Sequence, residues 1–192
     1  MERRSAFVLT TSDRGAAGER EDTSGELVAE RLRALGLAVE RAVVPDEVDA
    51  IAAAIRQAAE RHALVVTTGG TGLTPRDVTP QATASVLDYE VPGLAEAMRE
   101  AGRRHTPMAS LSRAMVGVRG QTLVVNLPGS PLGAQQSLDA ILEVIPHALE
   151  TLAGPFDHGA LTGRSDLPPS EPEPGRPVPE ASPAEPELHP GG

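Results

Sequence analysis

Along the first 150 or so residues, short β-branched runs alternate with longer stretches whose apolar positions recur at helical spacing. Residues 6–10 (A-F-V-L-T) predict a strand that runs into Ser12-Asp13-Arg14-Gly15 and a small, charged loop reaching Asp22. Asp22, Thr23 and Ser24 are N-cap residue types, and Leu27, Val28, Leu32 and Leu35 then mark one helix face until Gly36 stops it. A second strand over 37–44 closes at Pro45-Asp46-Glu47, and an Ala-rich helix follows over 48–62 with Ile51, Ile55, Ala58 and Ala59 on its buried stripe. Residues 63–67 give a third strand. Three βα units in succession predict a parallel sheet with right-handed crossovers and ligands at the strand C-terminal ends.

Past the third strand, Thr79 is the predicted cap of a helix that has Pro80 in its first position and runs to about residue 87. Pro92-Gly93 opens another helix over 94–104. Residues 114–118 and 122–125, separated by Arg119-Gly120-Gln121, suit a hairpin that adds one antiparallel strand. The fold class is therefore α/β, a three-layer α/β/α arrangement around a mostly parallel sheet. After Asn126-Leu127-Pro128-Gly129-Ser130-Pro131, a long helix runs to about 152, and Pro146 is expected to kink or split it.

The most informative stretch is 64–80, L-V-V-T-T-G-G-T-G-L-T-P-R-D-V-T-P. Its apolar run stops at Gly69 and Gly70, Thr71 and Gly72 follow, and Arg76 and Asp77 come close behind. Glycines here permit positive φ and leave no Cβ between main-chain N–H groups and an anion, so the loop suits a phosphate.

Composition narrows the choices. The 192 residues are 40% hydrophobic, enough for one folded domain, which we place at 1–162. Nine of the 18 prolines follow Arg164, in a Pro/Glu-rich stretch too poor in large apolar residues to offset its ordering entropy, so 163–192 is expected to be a disordered acidic tail. Net charge is −10, of which the tail supplies −4; an acidic body argues against a nucleic-acid or anionic-membrane surface. All 17 basic residues are arginine and there is no cysteine, which removes lysine and thiolate chemistry from any mechanism. No apolar run is long enough for a signal peptide or bilayer span, and a cytoplasmic protein is expected.

The four loops at strand C-terminal ends collect Ser12, Asp13, Asp46, Asp77, the Gly69–Gly72 loop, Pro128, Gly129 and Ser130. Carboxylates beside a phosphate cradle make chemical sense with a cation between them, which points to Mg²⁺ shared with substrate phosphates. Blander readings stand beside this one. Asp46 fits a cap for the helix at Val48, Asp77 fits a cap before Thr79, Ser130 is an N-cap type before Pro131, and Ser112-Arg113 serves equally as anion anchor or solvated surface. The five histidines show no metal-ligand spacing.

T-T-G-G-T-G-L-T-P-R-D-V-T-P (67–80) resembles the signature of the MogA/MoaB family of molybdenum-cofactor biosynthesis proteins, whose fold is shared with the G domain of gephyrin. The resemblance extends, in order, to T-S-D-R (11–14), D-T-S-G (22–25), V-P-D-E (44–47), P-G-L-A-E-A-M-R (92–99), L-S-R (111–113) and N-L-P-G-S-P (126–131). It covers about residues 6–154. It implies Mg-ATP-dependent adenylylation of molybdopterin to molybdopterin-AMP with release of pyrophosphate. The family's two important acids map onto Asp46 and Asp77, expected as catalytic residues and Mg²⁺ ligands. Gly69, Gly70, Thr71 and Gly72 would bind phosphate, with Ser12, Asp13, Pro128, Gly129 and Ser130 lining the substrate site. Ser112 and Arg113 would meet the phosphate or pterin of molybdopterin. The resemblance further implies a homotrimer and a separate MoeA-like metal-insertion partner. Its alternatives are a MoaB-type paralogue with another or redundant duty, a domain related to competence/damage-inducible protein A, and a non-catalytic trimeric scaffold.

Overall fold

The computed structural model describes residues 5–154. The expected tail at 163–192 and the domain boundary at 162 lie outside the described residues. Strands β1 (Ser5–Thr11), β2 (Ala38–Val44), β3 (Leu64–Thr68), β4 (Tyr89–Glu90), β5 (Val116–Arg119) and β6 (Thr122–Leu127) form one sheet in the order β2-β1-β3-β6-β5-β4. β1, β2, β3 and β6 run parallel, while β5 is antiparallel to both of its neighbours. The sheet is thus mostly parallel with one reversed strand, as the hairpin spacing predicts.

Two apolar layers cover the sheet. Helices α3 (Val48–Ala59) and α4 (Thr79–Ala84) pack Ile51, Ala52, Ile55, Ala58 and Ala82 on the face that carries Leu9, Val65 and Val124. Helices α2 (Thr23–Ala34), α5 (Pro92–Arg103), α6 (Pro131–Asp139) and α7 (Ile145–Ala153) pack on the opposite face, against Val8, Leu64, Val66, Leu123 and Val125. Alternate residues of each strand feed opposite layers, as the two-residue strand period requires. The central strand β3 is buried along its whole length, which explains its uninterrupted L-V-V-T-T.

Several elements differ from the sequence reading. The helix starting at Val48 ends at Ala59, with Arg61 and His62 amides returning to the Ala58 carbonyl in a tightened last turn. The C-terminal helix is split, as expected, but the break precedes Pro146, which sits in the first turn of the second helix, where its missing N–H costs nothing. A four-residue helix α1 (Asp13–Ala16) lies where the sequence predicts loop, and the two-residue β4 and a 3-10 turn (Pro107–Leu111) fall in stretches to which the sequence reading assigns no element. Thr79 is not the cap of α4. The cap position is Val78, and Thr79 has turned inward: its N–H donates to Gly70 O at 3.1 Å and its hydroxyl lies 3.1 Å from Thr11 Oγ1.

The register aligns the ends that matter. Thr11 pairs with Val44, Thr10 with Thr68, and Thr68 with Leu127, so the loops after β1, β2, β3 and β6 emerge side by side. The chain leaves β1 for one side of the sheet and returns through β3 on the other, which opens a crevice between those two strands. No helix among the described residues is long and apolar enough to cross a membrane.

The layering predicts asymmetric costs along α3. Ile55→Ala, at a fully buried position, should lower unfolding free energy by about 2–5 kcal/mol in a denaturant titration, whereas Val48→Ala, at an exposed one, should stay within about 0.5 kcal/mol.

Candidate functional site

The crevice above β1 and β3 holds a cleft of about 370 Å³, lined by residues from all four loops and the start of α2. Its floor is the turn at Gly69 and Gly70, with φ of 105° and 61°. A Cβ on Gly69 would stand 2.5 Å from the Thr11 carbonyl oxygen, and one on Gly70 would overlap Thr79 Oγ1. These glycines are therefore required twice, by backbone conformation and by the closeness of β1 and α4 beneath them. Gly129 completes the floor, where a Cβ would come within 3.1 Å of Gly69 Cα.

The main-chain donors of the loop are unequally free. Gly69 N–H is held by Leu127 O at 3.2 Å, and Gly72 N–H faces the Asp77 carboxylate. The amides of Gly70 and Thr71 have no acceptor among the described residues. Free N–H groups at a positive-φ glycine turn are donors that an anion can use. Arg113 braces the loop from behind. Its amide donates to Thr71 O at 2.9 Å, its Nε to Gly72 O at 2.7 Å, and its Nη2 to Asp77 O. A guanidinium spent on two carbonyls is chiefly a strap for the loop.

The carboxylates take distinct positions. Asp77 Oδ2 accepts from Thr74 N–H at 2.8 Å and Thr74 Oγ1 at 2.7 Å. Desolvation pushes its pKa up, but those Thr74 bonds, Gly72 N–H and the Arg113 charge outweigh it and hold the carboxyl below its usual range. Asp46 exchanges bonds with Asp13: Asp13 N–H donates to Asp46 Oδ2 and Asp46 N–H to Asp13 Oδ1, each at 3.0 Å. Asp46 thus ties the loop after β2 to the start of α1 and makes no cap bond to α3, whose cap residue is Glu47. Burial pushes the Asp46 carboxyl up, and the Asp13 and Asp77 charges add to this against the Asp13 N–H bond and Arg76. Asp13 Oδ2 pairs with Arg76, which holds the Asp13 carboxyl low.

Asp46 and Asp77 therefore face one cleft floored by Gly70 and its open amide, with repulsion that a cation would relieve. Among the described residues no group of three His, Cys, Asp or Glu side chains is placed to hold a metal by itself. A Mg²⁺ ion at Asp46 and Asp77 would complete its shell with phosphate oxygens and water, the usual way this ion is bound. The donor set fits.

A second hollow, of about 280 Å³, lies on the other side of the glycine loop. Thr71 and Gly72 form its near wall; Met98, Met108 and Leu111 give it apolar surface, and Ser112 lines it as well. Ser130 borders both spaces, its Oγ accepting from Gly133 N–H at 3.2 Å to cap α6. The sequence-predicted residues thus divide. Ser12, Asp46, Gly69, Gly70, Asp77 and Gly129 line the charged cleft, with Asp13 bonded to it through Asp46 and Arg76; Thr71, Gly72, Ser112 and Pro128 line the hollow.

Two cleft residues escape a sequence reading. Asp22 is legible as a cap, and its Oδ1 does accept from Gly25 N–H, but it also accepts from Thr10 Oγ1 and takes Arg41 on Oδ2, which ties α2 to the crevice. Arg76 stands in the signature without a role, because its partner lies 63 residues away.

A family model described as "Probable molybdopterin binding domain" matches residues 7–147. The chain is 37% identical over 154 residues to the molybdopterin adenylyltransferase of Helicobacter pylori J99, covering 78% of this chain and 88% of that protein. It is 42% identical over 160 residues to the molybdenum cofactor biosynthesis bifunctional protein of Synechococcus elongatus, covering 82% of this chain but only 50% of that longer relative. Among solved structures, the molybdopterin biosynthesis enzyme MoaB of Thermus thermophilus superposes with a TM-score of 0.71 at 51% identity, over 78% of this chain and 96% of that one.

Opposite environments of the two aspartates predict opposite effects on stability at neutral pH. Asp46 has a raised folded-state pKa, so its ionised form is held at a cost, and Asp46→Asn should leave the melting temperature unchanged or higher. Asp77 has a lowered one, so its contribution is present above the unfolded pKa near 3.8 and is lost as pH falls through the folded value. Asp77→Asn should melt lower at pH 7, with the gap closing in acid; thermal melts across pH read both signs. Gly70→Ala, strained in φ and crowded by Thr79, should cost more than about 2 kcal/mol, while Gly93→Ala, with open space at its Cβ, should be neutral or mildly stabilising.

Proposed function

The chain belongs to the molybdopterin-binding MogA/MoaB family of molybdenum cofactor biosynthesis, and on that premise we propose that it adenylylates molybdopterin with ATP. The observation that carries this reading is the pairing of two differently shaped spaces across one glycine loop, with Ser130 on the border between them. The charged cleft, with the free amide of Gly70 in its floor and that of Thr71 on the border with the hollow, suits the triphosphate. The hollow lined by Met98, Met108, Leu111 and Ser112 suits the flat pterin.

In the reaction, a terminal phosphate oxygen of molybdopterin attacks the α-phosphorus of ATP. The bond from that phosphorus to the bridging oxygen breaks, and pyrophosphate leaves with the electron pair. Protein groups orient the two phosphates and offset their charge, and no protein nucleophile is needed. Asp46 and Asp77 would hold Mg²⁺, which supplies charge neutralisation for the phosphates. Gly70 and Thr71 amides would donate to phosphate oxygens. Arg113 keeps those amides in place through Thr71 O and Gly72 O. Ser130 keeps its hydroxyl proton free to donate, since its oxygen serves the α6 cap as acceptor.

The 51% identity to a protein named MoaB supports a second reading, a family paralogue with the same pocket and another duty in the pathway. A homotrimer and a separate MoeA-like metal-insertion partner belong to the same proposal. Exposed Leu73, Met108, Leu111 and Leu132, all in or next to segments that line the two spaces, offer apolar surface for such contacts.

Purified protein incubated with molybdopterin and Mg-ATP should yield molybdopterin-AMP and pyrophosphate, read by mass spectrometry and a coupled pyrophosphate assay. Asp77→Asn should retain the fold and lose about 10²–10³-fold in rate. Undiminished turnover in that variant would refute the role given to Asp77, and no product from the parent chain would favour the paralogue.

A further inference from the structure

Arg76 is a cleft cation held by a single exposed partner. Its side chain is 61% exposed on the loop between β3 and α4, one residue before Asp77, and it lines the charged cleft. Its partner is Asp13, itself 45% exposed, across the crevice. Arg113, by contrast, is committed to main-chain carbonyls, and Arg41 to Asp22 and Glu26. The cleft is lined by Glu21, Asp22, Asp46 and Asp77, with Asp13 bonded to Asp46, against Arg20 and Arg76. A polyphosphate entering this wall needs cationic donors, and with Arg41 and Arg113 committed elsewhere the cleft offers Arg20 and Arg76, of which only Arg76 sits beside Asp77 on the glycine loop.

The Asp13–Arg76 pair is built to be exchanged. Solvent-exposed ion pairs hold weakly, while an arginine on a phosphate forms two parallel charge-assisted bonds. Asp13 does not depend on Arg76 for its position, because Oδ1 takes Asp46 N–H and its own N–H donates to Asp46. Releasing Arg76 therefore leaves the Asp13–Asp46 bridge standing. Resting on the adenylylation reading of this cleft, we propose that Arg76 is a phosphate-binding residue parked on Asp13, which swings from that carboxylate onto the β,γ-phosphates of ATP and stays on the pyrophosphate until it leaves. Asp13 is then a competitor for Arg76 that sets how tightly the leaving group is held.

Calorimetric titration of inorganic pyrophosphate into the full chain tests this through a double-mutant cycle. Arg76→Ala should weaken binding about tenfold or more. Asp13→Asn keeps an oxygen for Asp46 N–H and removes the competitor, so it should strengthen binding by roughly two- to fivefold. That gain should vanish when Arg76→Ala is also present. If Asp13→Asn gives the same gain without Arg76, the effect is general charge and the exchange is overturned. If both single variants weaken binding alike, the pair is a structural latch and the proposal also falls. Thermal melts of each variant verify folding, and Arg76→Lys, which keeps the charge without the paired donors, should recover only part of the loss. Failure of the parent chain to bind pyrophosphate would overturn the adenylylation reading together with this one, whereas the variant patterns overturn the Arg76 exchange alone.

Discussion

Everything at the C-terminal edge of this sheet depends on a glycine turn pressed down onto a pair of threonine hydroxyls. Thr11 Oγ1 and Thr79 Oγ1 lie 3.1 Å apart directly under Gly69 and Gly70, in the space where side chains at those positions would stand. The turn can therefore only be glycine, and it can only descend this close to β1 because α4 begins with Thr79 turned inward. Thr79 N–H closes the loop onto Gly70 O, and Arg113 holds the loop's far half through Thr71 O and Gly72 O. With both ends fixed, the amides between them have nowhere to turn. Donors held rigid in this way cost the protein little when an anion arrives, because their reorganisation is already done.

The same constraint separates two chemistries. A loop braced on one side by β1 and α4, and on the other by the segment before β5, forms a partition with a face on each side. Carboxylates gather on the β1 and β2 side, where the parallel register delivers Asp13 and Asp46. Apolar side chains gather on the side of α5 and the 3-10 turn, where Met98, Met108 and Leu111 come together. Pro128, Gly129 and Ser130 cross the partition because β6 pairs with β3 directly behind it. Two substrates of unlike character can then meet at one edge, which is what a group transfer requires.

The layers of the fold are legible in the sequence because they depend on periodicity. Residues 64–68 show no alternation and lie in the sheet centre, while the helix beginning at Val48 shows its stripe and packs on one face. What stays hidden is too short or too remote. β4 is two exposed residues with no pattern to read, and α1 is four residues held by a Ser12 cap and by Asp46. Thr79 reads as a cap because capping propensity is local, whereas its hydroxyl is used by Thr11, 68 residues earlier. The rule that loops after parallel strands converge is enough to gather Ser12, Asp46, Gly69, Gly70, Asp77 and Gly129 at one cleft. The division between cleft and hollow, the bracing by Arg113 and the pairing of Arg76 need coordinates, since the contacts of these two arginines reach across 36 to 63 residues.

On this reading the loop after β3 is a phosphate cradle whose working donors are the Gly70 and Thr71 amides. Amide chemical shifts followed by NMR during addition of Mg-ATP test it most directly. The Gly70 and Thr71 amides should move first and furthest, the Gly69 amide, held by Leu127, should move less, and Asp46→Asn with Asp77→Asn should suppress the response. Binding of Mg-ATP that leaves Gly70 and Thr71 unshifted while amides elsewhere respond would contradict it.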